Sequence, residues 1–232
     1  MSSAAPRSHP PVVTIDGPSG SGKGTVSRLL ALRSNWHLLD SGALYRLVAL
    51  AGSLSGIAAS DVAAHARIAS SMRVEFSSDA SGAERVLLDG REVTGALRTE
   101  VAGAGASRVA AWTPVRDALL ARQRAFAEPP GLIADGRDMG TVVFPNAVLK
   151  IFLTATPAER ALRRYKQLKD KDSSVSLAAL SLDIAERDRQ DMTRSVAPLV
   201  PAADAIVLDS TAMDADGVTN EIYSHGRARQ LW

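Results

Sequence analysis

The chain contains no cysteine in its 232 residues. That absence excludes a disulfide framework, a thiol nucleophile and any cysteine-ligated zinc or iron–sulfur site, and it suits a cytoplasmic address. Long apolar runs are also missing. No stretch approaches the roughly 18 residues that cross a bilayer. Met1 to Pro11 (MSSAAPRSHPP) lacks the apolar centre of a signal peptide and reads as a loose leader. Charge of one sign is scarce: 27 lysines and arginines face 25 aspartates and glutamates, a net charge of +2. Such a balance does not describe a protein that coats nucleic acid or a membrane. The four histidines, His9, His37, His65 and His225, show no ligand spacing, and no internal repeat is present. What remains is an ordinary globular composition, 46% hydrophobic and 22% charged, over a length that suits one domain with an added lobe.

Short apolar runs punctuate the chain: Val12 to Asp16 (VVTID), His37 to Asp40 (HLLD), Leu132 to Asp135 (LIAD), Val148 to Leu153 (VLKIFL) and Ala205 to Asp209 (AIVLD). Continuous apolar character over four to six residues suits strands buried on both faces, and helical patterns separate them, so an α/β fold with a parallel sheet is expected. Helices are expected at Gly22–Arg33, Ala43–Leu54, Asp61–Ser71, Thr99–Ala111, Pro114–Ala127, Pro157–Lys169, Leu177–Thr193 and Asp214–Gln230. One segment breaks the alternation. Arg73 to Ser77 and Glu84 to Asp89 flank the turn-rich Ser78 to Ala83 and read as an antiparallel hairpin in an inserted lobe. Asp170 to Ser176 (DKDSSVS) reads as a polar linker, a hinge or a lid, between two charged helices.

Gly17-Pro18-Ser19-Gly20-Ser21-Gly22-Lys23-Gly24-Thr25 follows the first strand and opens the first helix. This is the context of a phosphate-binding loop. Glycines let successive N–H groups turn inward around an anion, the lysine sets a cation against the outer phosphates, and the helix points its positive end there. One departure matters: Gly24 stands where the general pattern has a magnesium-binding hydroxyl, which arrives one place later at Thr25. The GKGT ending is closer to nucleoside monophosphate kinases than to GTPases, and no NKxD guanine-reading motif is present.

The acceptor side lies elsewhere. After the second strand come Ser41, a candidate helix N-cap, then Tyr45 and Arg46. After the third strand come Asp135-Gly136-Arg137-Asp138-Met139-Gly140, two carboxylates and an arginine in a loop where open α/β sheets bind ligands. Arg187, Asp191 and Arg194 are spaced to share one helix face, where a solvated salt-bridged surface is the plain alternative. Between Glu159 and Arg194 nine basic residues balance seven acidic ones, which argues against a nucleic-acid stripe.

Together, IDGPSGSGKGT, WHLLDSGALYR, LIADGRDMGTVVFP and DRQDMTRSVAPLVPAADAIVLDST resemble the bacterial cytidylate kinase family over nearly the whole chain from Val12. The resemblance implies a P-loop kinase core with a five-stranded parallel sheet flanked by helices, an inserted monophosphate-binding lobe and a short lid. On this sequence the core takes residues 12–40, 99–156 and 195–232, the lobe 41–98, and the lid with its flanking helices 157–194. It implies transfer of the γ-phosphoryl of ATP to CMP, with dCMP as a further acceptor and Mg2+ held mainly by the ATP phosphates near Thr25 and Asp135. Arg46, Arg137 and Arg194 would hold the acceptor phosphate; Ser107, Arg116 and Asp138 would read the cytosine edge; Arg187 and Asp191 would hold the sugar hydroxyls. Lys23 and Arg163 would neutralise the transferring phosphoryl, with Asp135 beside Lys23. Small molecules are the expected partners, of a monomer without nucleic acid or membrane. A kinase for UMP or AMP, and a module that hydrolyses ATP to drive a partner, stay open on residues alone.

Overall fold

The computed structural model of the chain describes residues 9–78, 84–169 and 176–232. In order run β1 (Val12–Asp16), α1 (Lys23–Ser34), β2 (His37–Asp40), α2 (Ser41–Leu54), α3 (Val62–Ser71), β3 (Val74–Ser78), β4 (Glu84–Leu88), β5 (Arg91–Glu92), α4 (Thr94–Leu97), α5 (Glu100–Val109), α6 (Thr113–Arg124), β6 (Leu132–Gly136), a π turn (Met139–Val143), β7 (Leu149–Thr154), α7 (Pro157–Leu168), α8 (Leu177–Thr193), β8 (Ile206–Asp209) and α9 (Ala215–Ala228). Contacts divide them into two compact units, one ending at Asp40 and resuming at Gln123, the other spanning Ser41–Arg122.

In the first unit the five expected strands form one parallel sheet in the order β2-β6-β1-β7-β8. Chain order changes direction at β1, which lies between β6 and β7, so the carboxyl end of β1 is the topological switch point where such sheets bind ligands. The strands look uniformly apolar in sequence, yet their two faces differ. Val13 and Ile15 of β1, with Leu149, Ile151 and Leu153 of β7, pack with Val26 and Leu30 of α1 and Val218 and Ile222 of α9. Thr14, Asp16 and Lys150 alternate onto the opposite face and are buried there. Lys150 is tolerated because Nζ donates to Asp204 Oδ1 at 2.8 Å and to Pro145 O at 2.6 Å. Helix starts follow their capping residues: Thr156, Ser176 and Asp214 accept from Glu159, Ala179 and Gly217 N–H.

The second unit pairs α2 with α5 and α3 with α2, with small residues letting the helices approach: Gly105 lies on Ala49, and Gly52 on His65. The expected hairpin forms with Val74 opposite Leu88 and Ser78 opposite Glu84, and a third strand, β5, extends it through Leu87 opposite Glu92. A two-residue strand leaves no alternation to read, so only its partners reveal it. Of the expected turn and polar linker, 79–83 and 170–175 lie outside the described residues. Helix α2 begins directly after β2, so Ser41 is its first residue rather than a cap ahead of Ala43.

Helix α9 is locked at its end by aromatic packing. Trp232 stacks on Tyr223 with ring centroids 5.0 Å apart and meets Trp36 edge-on at 5.1 Å. Its indole N–H donates to Tyr223 O at 3.1 Å. Gly226 faces that ring so closely that a Cβ would overlap it. Gly226→Ala should therefore expel the indole and lower stability by about 1–3 kcal/mol, the usual cost of overpacking, read as a lower urea midpoint with changed tryptophan fluorescence. An unchanged midpoint would show that the indole contributes no packing there.

Candidate active site

A loop that turns its N–H groups inward around an anion must turn its carbonyls outward, and those carbonyls need donors. Gly17, at φ 152°, allows the turn because any Cβ would collide with the Leu153 carbonyl. Gly22, at φ 91°, caps α1 with no side-chain bond, so the first helical N–H groups face the loop. The outward carbonyls are taken by cations. Pro18 O accepts from Lys23 Nζ at 3.1 Å, Ser19 O from Arg160 Nη1 at 3.0 Å, and Ser21 O from Arg163 Nη1 at 3.2 Å and Ser210 Oγ at 3.1 Å.

Both arginines come from α7, where positions 160 and 163 share one face. Arg160, buried, also donates Nε to Ala155 O at 3.0 Å and grips Asp188 of α8 through two bonds of 3.0 and 2.5 Å. Arg163 donates Nε to Glu159 at 2.9 Å, Nη1 to Ser210 Oγ at 3.0 Å, and Nη2 to Ser210 O at 2.6 Å and Met213 O at 3.3 Å. With the bond to Ser21 O these engage all five of its N–H groups. Its expected contact with a transferring phosphoryl requires exchanging some of these bonds for phosphate oxygens. Arg163 also borders a cavity of about 280 Å³ beside the loop, lined by Gly22, Thr25, Ser210, Met213 and Val218 among others.

Arg137, in the turn after β6, reaches the same loop from another side: Nη2 donates to Ser19 Oγ at 3.2 Å and Nε to Asp191 of α8 at 2.8 Å. Asp191 also lies 3.9 Å from Arg194, which donates Nε to Ala197 O at 2.5 Å. Asp191 thus joins two of the arginines expected at an acceptor phosphate. Arg187 lies half-buried on the same helix, while Gly24 and Thr25 are exposed at the start of α1.

Three neighbouring strands carry carboxylates at or next to their carboxyl ends: Asp40 pairs in register with Asp135, and Asp16 with Gly136. Burial pushes Asp135 up to about 7, opposed by nearby Lys23. Burial, helped by Arg137, pushes Lys23 down to about 8 against the pull of Asp135. Burial likewise raises Asp16 to about 6, opposed by hydrogen bonds from Gly140 and Met139 N–H. Asp138, 2% exposed, follows Arg137 at the head of the π turn.

In the second unit, Ser41 and Tyr45 are buried on the first turns of α2, with Arg46 half-buried beside them. Arg116 is buried, donates to Ala110 O at 3.2 Å and stands 5.9 Å over the Tyr45 ring. Ser107 Oγ donates to Gly103 O at 3.3 Å. The structure thus gathers the loop, Asp135, Arg137, Asp138, Arg163, Asp191 and Arg194 in one unit, and Ser41, Tyr45, Arg46, Ser107 and Arg116 in the other.

Sequence reading passed over Asp16, Arg160, Asp188 and Ser210. Asp16 carried one signal, an acid ending an apolar strand before a glycine loop. Arg160 and Asp188 carried no local signal, because they lie 28 residues apart and Ser19 lies 141 residues from Arg160.

Comparison with known proteins places these motifs in a family. The family model for cytidylate kinase matches residues 13–227. The chain is 57% identical over 223 residues to a cytidylate kinase of Pseudomonas aeruginosa, covering 96% of this chain and 97% of that one. It is 56% identical over 222 residues to one of Pseudomonas fluorescens, covering 95% and 97%. Its fold is similar to that of an uncharacterized protein from Eubacterium ventriosum, with a TM-score of 0.51 at 12% identity over 94% of this chain and 98% of that one.

The Arg160–Asp188 pair is nearly dry, its side chains 4% and 14% exposed. Removing one partner of such a pair costs about 3–5 kcal/mol, because the other charge is left buried. Asp188→Ala should lower the urea midpoint accordingly, whereas Glu186→Gln, at the solvent-exposed pair with Arg189, should leave it nearly unmoved. Equal midpoints for the two variants would show that loop carbonyls alone hold Arg160.

Proposed function

Since the chain belongs to the cytidylate kinase family, we infer that it transfers the γ-phosphoryl group of ATP to CMP, giving CDP and ADP. The observation that carries this reading is the family match along residues 13–227. An oxygen of the acceptor phosphate attacks the γ-phosphorus as the bond to the β,γ-bridging oxygen breaks, and ADP leaves. Acceptor phosphate is already a nucleophile, so the protein's task is in-line positioning and positive charge around a loose transition state. A site rich in arginine and poor in histidine supports that task.

The loop amides and Lys23 cradle the donor phosphates, and the donor base extends toward Ser210 and Met213, whose carbonyls Arg163 braces. In phosphate transfer Arg163 would exchange part of that bracing for the γ-phosphoryl. Arg137 and Arg194, joined by Asp191, take the acceptor phosphate together with Arg46. Asp191 and Arg187 reach the sugar hydroxyls, and dCMP, which lacks one of them, is a further acceptor. Asp138, Arg116 and Ser107 read the base: a carboxylate accepts from the N4 amino group of cytosine but repels the O4 acceptor of uracil, while a guanidinium donates to cytosine N3 and O2. Magnesium fits this set. Asp135 is a buried carboxyl whose ionised form a cation would favour, and Thr25 exposes a hydroxyl at the first turn of α1. These two residues would stand toward an ion held chiefly by phosphate oxygens, which would draw charge off the donor. No described helix is long and apolar enough to cross a membrane; a cytoplasmic monomer without nucleic-acid or membrane partners completes the proposal.

Purified protein should form ADP from ATP when CMP is present, more slowly with UMP or AMP, and hardly at all without an acceptor. ADP formation indifferent to CMP would overturn the reading in favour of an ATP-hydrolysing module.

Lys23 supplies a pH test. Its proton affinity is low in the free protein, about 8, so the charge that draws in ATP is lost as pH rises through that value. Bound triphosphate restores the charge to higher pH. The kcat/KM for ATP should therefore fall about tenfold per pH unit above pH 8, with the matching limb of kcat displaced upward. A kcat/KM flat to pH 9.5 would mean that Lys23 stays charged without ligand.

A further inference from the structure

We propose that Asp16 is a positioning residue for base selection, holding the turn that follows Asp138 and thereby setting where the Asp138 carboxylate stands toward the acceptor base. The inference rests on the reading of Asp138 as a base reader.

The π turn Met139–Val143 begins, like any helical turn, with N–H groups that have no partner inside it. Asp138 occupies the residue before it, where an aspartate ordinarily turns its own carboxylate onto those groups. It does not do so: no side-chain capping bond is made from Asp138. The two N–H groups are taken by a carboxylate from another strand. Asp16 Oδ1 accepts from Met139 N–H at 2.8 Å and Asp16 Oδ2 from Gly140 N–H at 2.8 Å. On its other side Asp138 is fixed by its carbonyl, which accepts from Val142 N–H at 2.9 Å and Val143 N–H at 3.2 Å.

The seat is rigid. Asp16 is the last residue of β1 and 5% exposed. Gly140 is pressed onto the sheet so that a Cβ would stand 2.9 Å from Thr14 Oγ1, 3.2 Å from Lys150 Cδ and 3.4 Å from Asp16 Oδ2. Lys150 is itself held by Pro145 O and Asp204. The strand that carries the phosphate loop therefore also sets the position of the acceptor-reading turn.

The experiment measures kcat/KM for CMP and UMP, and KM for ATP, in the wild type, Asp16→Asn, Asp138→Ala and the double variant. Asparagine keeps one acceptor and sets an amide N–H against the second peptide N–H, so the turn loosens. Asp16→Asn should contract the CMP to UMP ratio at least fivefold and raise KM for CMP, with KM for ATP within threefold of wild type. The double variant should contract the ratio no further than Asp138→Ala alone, since both act through one carboxylate. A folded Asp16→Asn protein with an intact ratio, beside an Asp138→Ala protein with a contracted one, overturns the positioning role alone. An intact ratio in Asp138→Ala overturns the base-reading role and the proposal with it. Should Asp16→Asn fail to fold, Gly140→Ala displaces the same turn with Asp16 in place. The same contraction is then expected, and an intact ratio overturns the proposal.

Discussion

Satisfying the carbonyls of the phosphate loop is the constraint from which much of this structure follows. Inward N–H groups leave Pro18, Ser19 and Ser21 with carbonyls pointing into protein, and each is met by a charged donor. Two of those donors stand on α7, which places that helix against the loop. Arg160, once buried, needs a counter-charge, and Asp188 supplies it from α8. Arg137 repeats the arrangement with Ser19 Oγ on one side and Asp191 on the other. The two carboxylates lie three residues apart on one helix, so α8 is wired to a single loop residue through two arginines.

That wiring separates two uses of arginine that a sequence cannot tell apart. Both a loop carbonyl and a phosphate oxygen are acceptors to which a guanidinium donates. The resemblance to the cytidylate kinase family implies a phosphoryl contact for Arg163, yet in the structure its donors meet Glu159, Ser21, Ser210 and Met213. The phosphate loop was legible because its signal is local, nine consecutive residues between a strand and a helix. The sheet was legible too, since apolar runs of four to six residues recur between helical patterns. The π turn, β5 and the partners of Asp16 were not. They depend on register across the sheet, where Asp16 lies opposite Gly136 although the two are 120 positions apart in the chain.

Alternation of the strand faces explains why the site is polar beneath as well as above. Val13 and Ile15 carry the packing against α1 and α9, which frees the other face of β1 for Thr14 and Asp16. A wholly apolar β1 would bury more surface but offer nothing to the N–H groups of Met139 and Gly140. The π turn would then need Asp138 as its own cap.

The charges gathered here work against the stability of the free protein, and the sign of that effect matters. An Asp16 carboxyl raised to about 6 keeps its proton in the fold after the unfolded chain has released it. As pH rises from the ordinary aspartate range to about 6, the unfolded state therefore gains by about 3 kcal/mol, and above that the loss is constant. Lys23, lowered to about 8, is held charged at neutral pH against the same burial. Its unfolded counterpart keeps the proton to higher pH, so the fold regains stability only above about 8. At neutral pH both groups thus carry charges that burial disfavours. A triphosphate at Lys23 supplies the opposite charge and shifts the balance toward the folded state by RT ln(1 + L/Kd), growing with its free concentration L. The desolvation that disfavours these charges is the same desolvation that strengthens each charge–phosphate contact once water is excluded.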